Sequence, residues 1–233
     1  PITNDGFFGM YPMTHDMTLL PLSNIDTSPK PDPDPDPEPK PILPILPSGG
    51  QSAWKNPYQD VTDSSSYYEA VCYVTEKGLM NGTSASTFSP DAAMTRAMMV
   101  TILWRMEKEP AALKSNFTDL TADWYRTAVD WAAETGVVNG VGNGKFAPNA
   151  TLSLEQLITI LYRYAESKGY NVSKSASLDS FTDGSAVSAY AKPAMQWAVG
   201  MNFLSGNTLT PGAPASRAQI AQVLMLFCKA YIK

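Results

Sequence analysis

Histidine is nearly missing from this chain, with His15 the single one in 233 residues. A histidine-based nucleophile triad or a histidine-rich zinc site therefore has no material in the body of the protein. Cysteine is almost as scarce. Cys72 and Cys228 stand 156 residues apart with no Cys-x-x-Cys pair, which removes the usual thiolate metal and redox motifs. Both fall in apolar helical patterns, so two buried free thiols are expected rather than a disulfide joining the ends of the body. No run of 18 apolar residues occurs, and no membrane-inserted helix is expected. A glycine-rich phosphate loop and an Asp-x-Asp-x-Asp-Gly calcium loop are also missing, so neither a cofactor nor a metal is expected. Positive charge is in short supply as well. Residues 1–50 hold seven acids and two bases, while residues 51–233 hold fifteen of each. A balanced body offers no broad electrostatic capture of nucleic acid or of an anionic membrane.

Proline is abundant, but only at one end: 12 of the 19 lie in residues 1–50. From Pro29 to Pro47 it recurs nearly every second residue, first between acids (Asp32, Asp34, Asp36, Glu38) and then between aliphatics (Ile42, Leu43, Ile45, Leu46). Such a chain favours polyproline II. Nineteen residues at about 3.1 Å each span about 60 Å, and the acids resist collapse, so residues 29–50 read as a semi-rigid extended linker. Residues 1–28 are too short and too poorly patterned for a domain and read as the tail of an upstream region. The chain opens at Pro1 with no signal peptide, as expected of a mature product or a C-terminal piece of a longer protein.

The body repeats itself. Gly78-Leu79-Met80-Asn81-Gly82 returns 58 residues later as Gly136-Val137-Val138-Asn139-Gly140, and Phe88-Ser89-Pro90 returns as Phe146-Ala147-Pro148. A more divergent third copy aligns Trp131 with Trp197, Gly140 with Gly206 and Pro148 with Pro211. Each copy opens on an aromatic, a polar residue and an acid: Tyr58-Gln59-Asp60, Phe117-Thr118-Asp119, Phe181-Thr182-Asp183. Three units of about 60 residues follow, at 51–110, 111–172 and 173–233.

Within a unit the pattern is helix, loop, helix. In the second copy Tyr125, Ala128, Val129 and Ala132 fall at i, i+3, i+4 and i+7, one apolar face. The Asn-Gly pairs are expected to stop this first helix. The second helix is expected to start at Thr95, Ser153 and Ser216, whose hydroxyls can accept from free first-turn amides. Met99, Val100, Ile102 and Leu103, then Leu157, Ile158, Ile160 and Leu161, then Ile220, Val223, Leu224 and Phe227 supply wide apolar arcs. Two such helices cannot bury those faces alone. The expectation is an all-α fold in which three helix-loop-helix units form one cooperative pseudo-threefold bundle. The second helices lie inside, the loops outside, and grooves separate neighbouring units.

The opening aromatic-x-Asp, the Gly-x-x-x-Gly turn, the Phe-x-Pro loop and Thr95-Arg96-Ala97, all in order, resemble the S-layer homology (SLH) family over about residues 54–233. The resemblance implies a three-pronged bundle and a non-catalytic anchor on the outside of a Gram-positive bacterium, in its cell wall or S-layer. It further implies binding of secondary cell-wall polysaccharide, commonly pyruvylated, with the rest of the polypeptide as the tethered partner and the fragment itself a monomer. The family's Thr-Arg-Ala-Glu motif reads Thr95-Arg96-Ala97-Met98, Ser153-Leu154-Glu155-Gln156 and Ser216-Arg217-Ala218-Gln219 in the three copies. Only two copies keep the Arg, so unequal sites are expected, with the groove that relies on Leu154 weak or silent.

A pyruvate ketal carries a carboxylate, and Arg presents a planar two-pronged donor that matches it. Arg96 and Arg217 sit in a first helical turn, where a cation opposes the helix dipole. Anion capture would explain the placement, and so would a salt bridge to Asp60, Asp119 or Asp183 of a neighbouring unit. Those acids could instead bind sugar hydroxyls or cap the first helix, a role Asp123 could also fill. Gly82, Gly140 and Gly206 permit close approach of a sugar or simply end a helix. Trp131 and Trp197 could stack on sugar faces or lie buried between units. A helical protein-protein adaptor is the alternative from another class. An enzyme is not expected, because carboxylate pairs such as Glu107 and Glu109 read as solvated helix ends.

Overall fold

A computed structural model describes residues 55–232. The linker expected at 29–50, the segment 1–28 and His15 lie outside the described residues. Six α-helices carry the fold: α1 (Tyr68–Glu76), α2 (Arg96–Met106), α3 (Asp123–Glu134), α4 (Leu154–Ser167), α5 (Lys192–Gly200) and α6 (Arg217–Tyr231). No strand accompanies them among the described residues.

The second helix of each copy starts where its hydroxyl residue requires. Thr95 Oγ1 accepts from the Met98 amide, Ser153 Oγ from Gln156 and Ser216 Oγ from Gln219. Gln156 and Gln219 return the bond to the amides of Ser153 and Ser216, completing capping boxes. Met98 in the first copy has no acceptor to return. In α3 the residues Tyr125, Ala128, Val129 and Ala132 are all buried, as their spacing requires.

The first helices stop earlier than expected. Gly78 and Gly136 take left-handed φ values of 66° and 74°, and the Met80 and Val138 amides reach back to the Val74 and Ala132 carbonyls. This glycine-terminated ending satisfies the last carbonyls of α1 and α3. Asn81-Gly82 and Asn139-Gly140 are thereby released from the role of helix stop.

The two helices of a copy find their main partners outside it. α2 packs against α3, α4 against α5 and α6 against α1, so the second helix of each copy pairs with the first helix of the next, and the third copy closes on the first. The three pairs meet at a small backbone ring. Leu152 N donates to Met94 O (2.9 Å), Ala215 N to Leu152 O (2.8 Å) and Met94 N to Ala215 O (3.4 Å).

Around this ring the free amides that open α2, α4 and α6 find carbonyls in the loop of the following copy. Arg96 and Ala97 donate to Ala150 and Pro148, Leu154 and Glu155 to Ala213 and Pro211, and Arg217 and Ala218 to Ala92 and Pro90, all at 2.9–3.1 Å. Orphan helix-start amides are costly when buried, and here each set is answered by a neighbour. The expectation that the loops lie outside the bundle holds for one part of them only: residues 139–145 are exposed, while Phe88 and Phe146, with 0% exposure, and Leu209, with 3%, are buried. The loops must enter because the helix starts need their carbonyls. The cysteines are free thiols, Cys72 half-buried and Cys228 buried, with burial pushing the Cys228 thiol up to about 11.

Phe146→Ala empties a fully buried site beside the ring and should cost about 3–5 kcal/mol. Because the copies interlock cyclically, helix circular dichroism and tryptophan fluorescence should lose stability together in one urea transition. A displaced transition for one probe would mean that the copies unfold separately.

Candidate functional site

The acid that opens each copy clamps that copy's own loop. Asp60 accepts from the amides of Phe88 and Ser89, Asp119 from Phe146 and Ala147, and Asp183 from Leu209 and Thr210, all at 2.7–2.9 Å. The second residue of each pair has a left-handed backbone, with φ of 56° at Ser89, 58° at Ala147 and 49° at Thr210. That conformation costs roughly 1–2 kcal/mol in a residue with a side chain, and the carboxylate holds it in place. The two amides keep Asp183 below the ordinary carboxylate range. At Asp119 partial burial opposes ionisation, but the two amides outweigh it and its pKa is also lowered.

None of these acids caps a first helix. Asp123 does not either, being the first residue of α3 with Ala122 at the cap, where the Tyr125 hydroxyl accepts from the Thr121 and Ala122 amides. The Asn-Gly glycines serve the same loop. Gly82 N donates to the Tyr58 hydroxyl (2.9 Å), and a Cβ on Gly140 would come within 2.7 Å of the Phe117 ring. Gly206, at φ 116°, needs the freedom of glycine for its backbone alone. Trp131 and Trp197 are core residues at 6% and 1% exposure. Neither ring has a face left for a sugar, which corrects the stacking expectation, since helical spacing turned both toward the neighbouring helix.

Arg96 and Arg217 key one copy into the next. Arg96 Nε donates to Phe146 O (3.0 Å) and Nη2 to Asn139 O (3.4 Å), with the guanidinium carbon 4.7 Å from the centre of the Phe146 ring. Arg217 repeats this on Phe88 O, Asn81 O and the Phe88 ring. The Phe-x-Pro loop is thus gripped twice, by its own Asp at the amides and by the preceding copy's Arg at the carbonyl. For Arg96 the salt-bridge alternative does not hold. It makes no ion pair with a described residue, and Asp119 acts only from a distance, favouring the charge against the burial that lowers the arginine pKa.

The other edge of Arg96 is open. Nη1 donates to no described residue, yet it is not sealed from solvent. Arg163 of the second copy, which disfavours its charge, and Tyr190 of the third copy, which favours it, lie within electrostatic reach. Arg163 is half-buried and makes no hydrogen bond or ion pair with a described residue. Tyr190 is 52% exposed, and burial together with its hydrogen bond to Glu155 pushes its hydroxyl up to about 12. Glu155 is occupied, accepting from Tyr190 Oη (3.0 Å), Ser188 Oγ (2.8 Å) and Ser188 N (3.0 Å). Two guanidiniums and a phenol from three copies thus act on one another electrostatically, a combination of groups suited to an anion.

Arg163, Tyr190 and Glu155 were missed by sequence reasoning. Arg163 lies ten residues after the Ser153 cap, where the first copy has Arg105 and the third Leu226. Tyr190 lies seven before Trp197, matching Trp124 and Ser66. By this register the place around Arg217 combines Arg217, Arg105 and Trp124, while the third combines Leu154, Leu226 and Ser66. No group of acids, His or Cys suited to a metal ion occurs among the described residues.

The family pattern described as "SLH: S-layer homology domain" matches residues 57–98, 116–158 and 180–221. The chain is 31% identical over 172 residues to an endoglucanase of Bacillus sp. (strain KSM-635), covering 72% of this chain and 18% of that protein. It is 31% identical over 162 residues to the surface-layer 125 kDa protein of Lysinibacillus sphaericus, covering 66% and 13%. It is 27% identical over 131 residues to the cellulosome-anchoring protein of Acetivibrio thermocellus (strain ATCC 27405), covering 52% and 29%. The chain thus spans less than a third of the length of each of these relatives.

The depressed carboxylates give the stability a sign with pH. A group whose folded pKa lies below its unfolded value of about 3.9 stabilises above that value and loses the contribution as pH falls through the folded pKa. The urea midpoint should hold from pH 7 to 5 and decline below about pH 4. Asp119→Asn should lose on the order of 1 kcal/mol at pH 7 and decline less steeply in acid. An unchanged acid slope would remove the clamp from the account.

Proposed function

Since the chain belongs to the S-layer homology family and is an anchoring module of the bacterial cell surface, we propose that it anchors by gripping an acidic secondary cell-wall polysaccharide in the groove of Arg96, Arg163 and Tyr190. The observation that carries this reading is that Arg96, a residue only 7% exposed, keeps Nη1 without a described hydrogen-bond partner within electrostatic reach of Arg163, which makes no ion pair with a described residue. Two like charges brought together at partial burial are unfavourable until an anion joins them. A pyruvate ketal supplies a carboxylate on a sugar. Arg96 meets it preorganised, because its Nε edge and its π contact with Phe146 already fix the plane.

The Arg217 place is the second groove, and the place of Leu154 is silent. Asp60, Asp119, Asp183, Gly82 and Gly140 act in this reading by shaping the loops that carry the arginines rather than by touching sugar. The module is non-catalytic, and the rest of the polypeptide is its cargo. The endoglucanase likeness carries no hydrolysis here, because it covers 18% of that protein.

Calorimetric titration of pyruvylated wall polysaccharide tests the reading. Arg163→Gln removes a side chain with no hydrogen bond, so it should leave stability unchanged while weakening binding at least tenfold. Arg96→Ala should weaken it at least as much but also lower stability, since two carbonyls lose their donor. Depyruvylated polymer should behave like the Arg163 variant. Wild-type affinity in Arg163→Gln would move the ligand elsewhere, and no binding by folded wild type would favour the protein-adaptor reading.

A further inference from the structure

A cavity is present whose lining includes none of Arg96, Arg163 and Tyr190. It measures about 460 Å³ and sits in the second copy, between the connection at 113–117, the outer face of α3 and the loop at 138–144. At its wall stands Asp130, 6% exposed. One oxygen, Oδ1, is fully occupied, accepting from Ser115 N (2.9 Å) and Ser115 Oγ (2.5 Å). The other, Oδ2, accepts from no described residue and is not sealed from solvent. An aspartate that is more than nine-tenths buried, lines a cavity and keeps one carboxylate oxygen without a described partner offers an acceptor there.

We propose that this cavity is a second glycan subsite, one that takes a neutral sugar residue through hydroxyl donation to Asp130 Oδ2. The proposal rests on the polysaccharide reading above and adds to it a contact of opposite electrical character. The walls suit a pyranose: Phe117 and Ala133 are apolar lining residues for the C–H face, while Asn116 and Asn139 are polar ones for the hydroxyl rim. The volume lies within the ~300–1,000 Å³ typical of small-ligand pockets. Lys114 stands in the same wall as Asp130 and Glu134, so the lining carries one net negative charge, which favours a neutral sugar over a carboxylated one. Two carboxylates without a third ligand do not make a metal site, and no such cluster occurs among the described residues.

The site is particular to the second copy. The positions matching Asp130 are Cys72 in the first and Gln196 in the third. The two sites are also joined through the loop, since Asn139, which lines the cavity, gives its carbonyl to Arg96 Nη2. A polymer with alternating neutral and acidic residues could then occupy both at once and gain by effective concentration.

Amide chemical shifts of the full chain, followed during titration with methyl N-acetylmannosaminide and separately with its pyruvate ketal, test the proposal. The neutral sugar should shift Ser115, Asn116, Asn139 and Gly144 with millimolar affinity, and the ketal should shift Arg96 and Tyr190. Asp130→Asn should weaken the neutral sugar at least tenfold. Ala133→Phe, which fills the cavity and leaves the Asp130–Ser115 bonds intact, should do the same with no change in urea midpoint. Neutral-sugar shifts at Arg96 instead, or no neutral-sugar shifts while the ketal still binds, would overturn the subsite and leave the anchoring reading standing. Failure of both sugars and of the whole polymer would overturn both.

Discussion

Everything in this fold hangs on three backbone hydrogen bonds that run in a circle, Leu152 to Met94, Met94 to Ala215 and Ala215 to Leu152. Each residue sits just before the cap of a second helix, so the ring fixes three helix starts at once. With the starts fixed, their unpaired amides face the loop of the next copy, and the loop carbonyls that answer them have to be buried. A single copy offers neither the ring nor the carbonyls. The cyclic pairing of α2 with α3, α4 with α5 and α6 with α1 follows from the same constraint, since each second helix leaves its own copy to reach the loop that completes it.

The arginines belong to that constraint before they belong to any ligand. A cation at the first position of a helix is electrostatically misplaced, and Arg96 shows how the cost is offset. Its Nε edge takes the Phe146 carbonyl and its face covers the Phe146 ring, in a loop held by Asp119 against a left-handed backbone at Ala147. The remaining edge donates to no described residue. In the proposed function, structural and binding roles divide between the two sides of one planar group, which a lysine could not do.

Divergence among the copies follows the same contact. Where the second helix opens on Arg, the loop of the next copy carries Phe: Arg96 with Phe146, Arg217 with Phe88. Where it opens on Leu154, the loop carries Leu209 and the outer arginine position carries Leu226. The change is concerted across three places in register, as expected if losing the guanidinium removes the reason for the aromatic ring and for a second cation. The second copy took up other chemistry, with Glu155 holding Ser188 and Tyr190 and Asp130 facing its own cavity.

The sequence by itself determined the repeat, the helix-loop-helix unit, the caps at Thr95, Ser153 and Ser216, the buried faces and the two arginines. These are local: a 3.6-residue period, a hydroxyl before an apolar run and a motif at constant spacing carry their physics within one turn of chain. Tertiary structure alone decided that Phe88, Phe146 and Leu209 of the loops turn inward, that Trp131 and Trp197 are core, that Asp60, Asp119 and Asp183 clamp loop amides, and that Arg163 and Tyr190 come within electrostatic reach of Arg96. Each of these depends on which carbonyl, ring or charge arrives from a distant part of the chain, with partners 24 to 136 residues apart. Whether a guanidinium is fully paired or keeps an edge open depends on counting donors against acceptors from three copies, and no single copy's spacing contains that count.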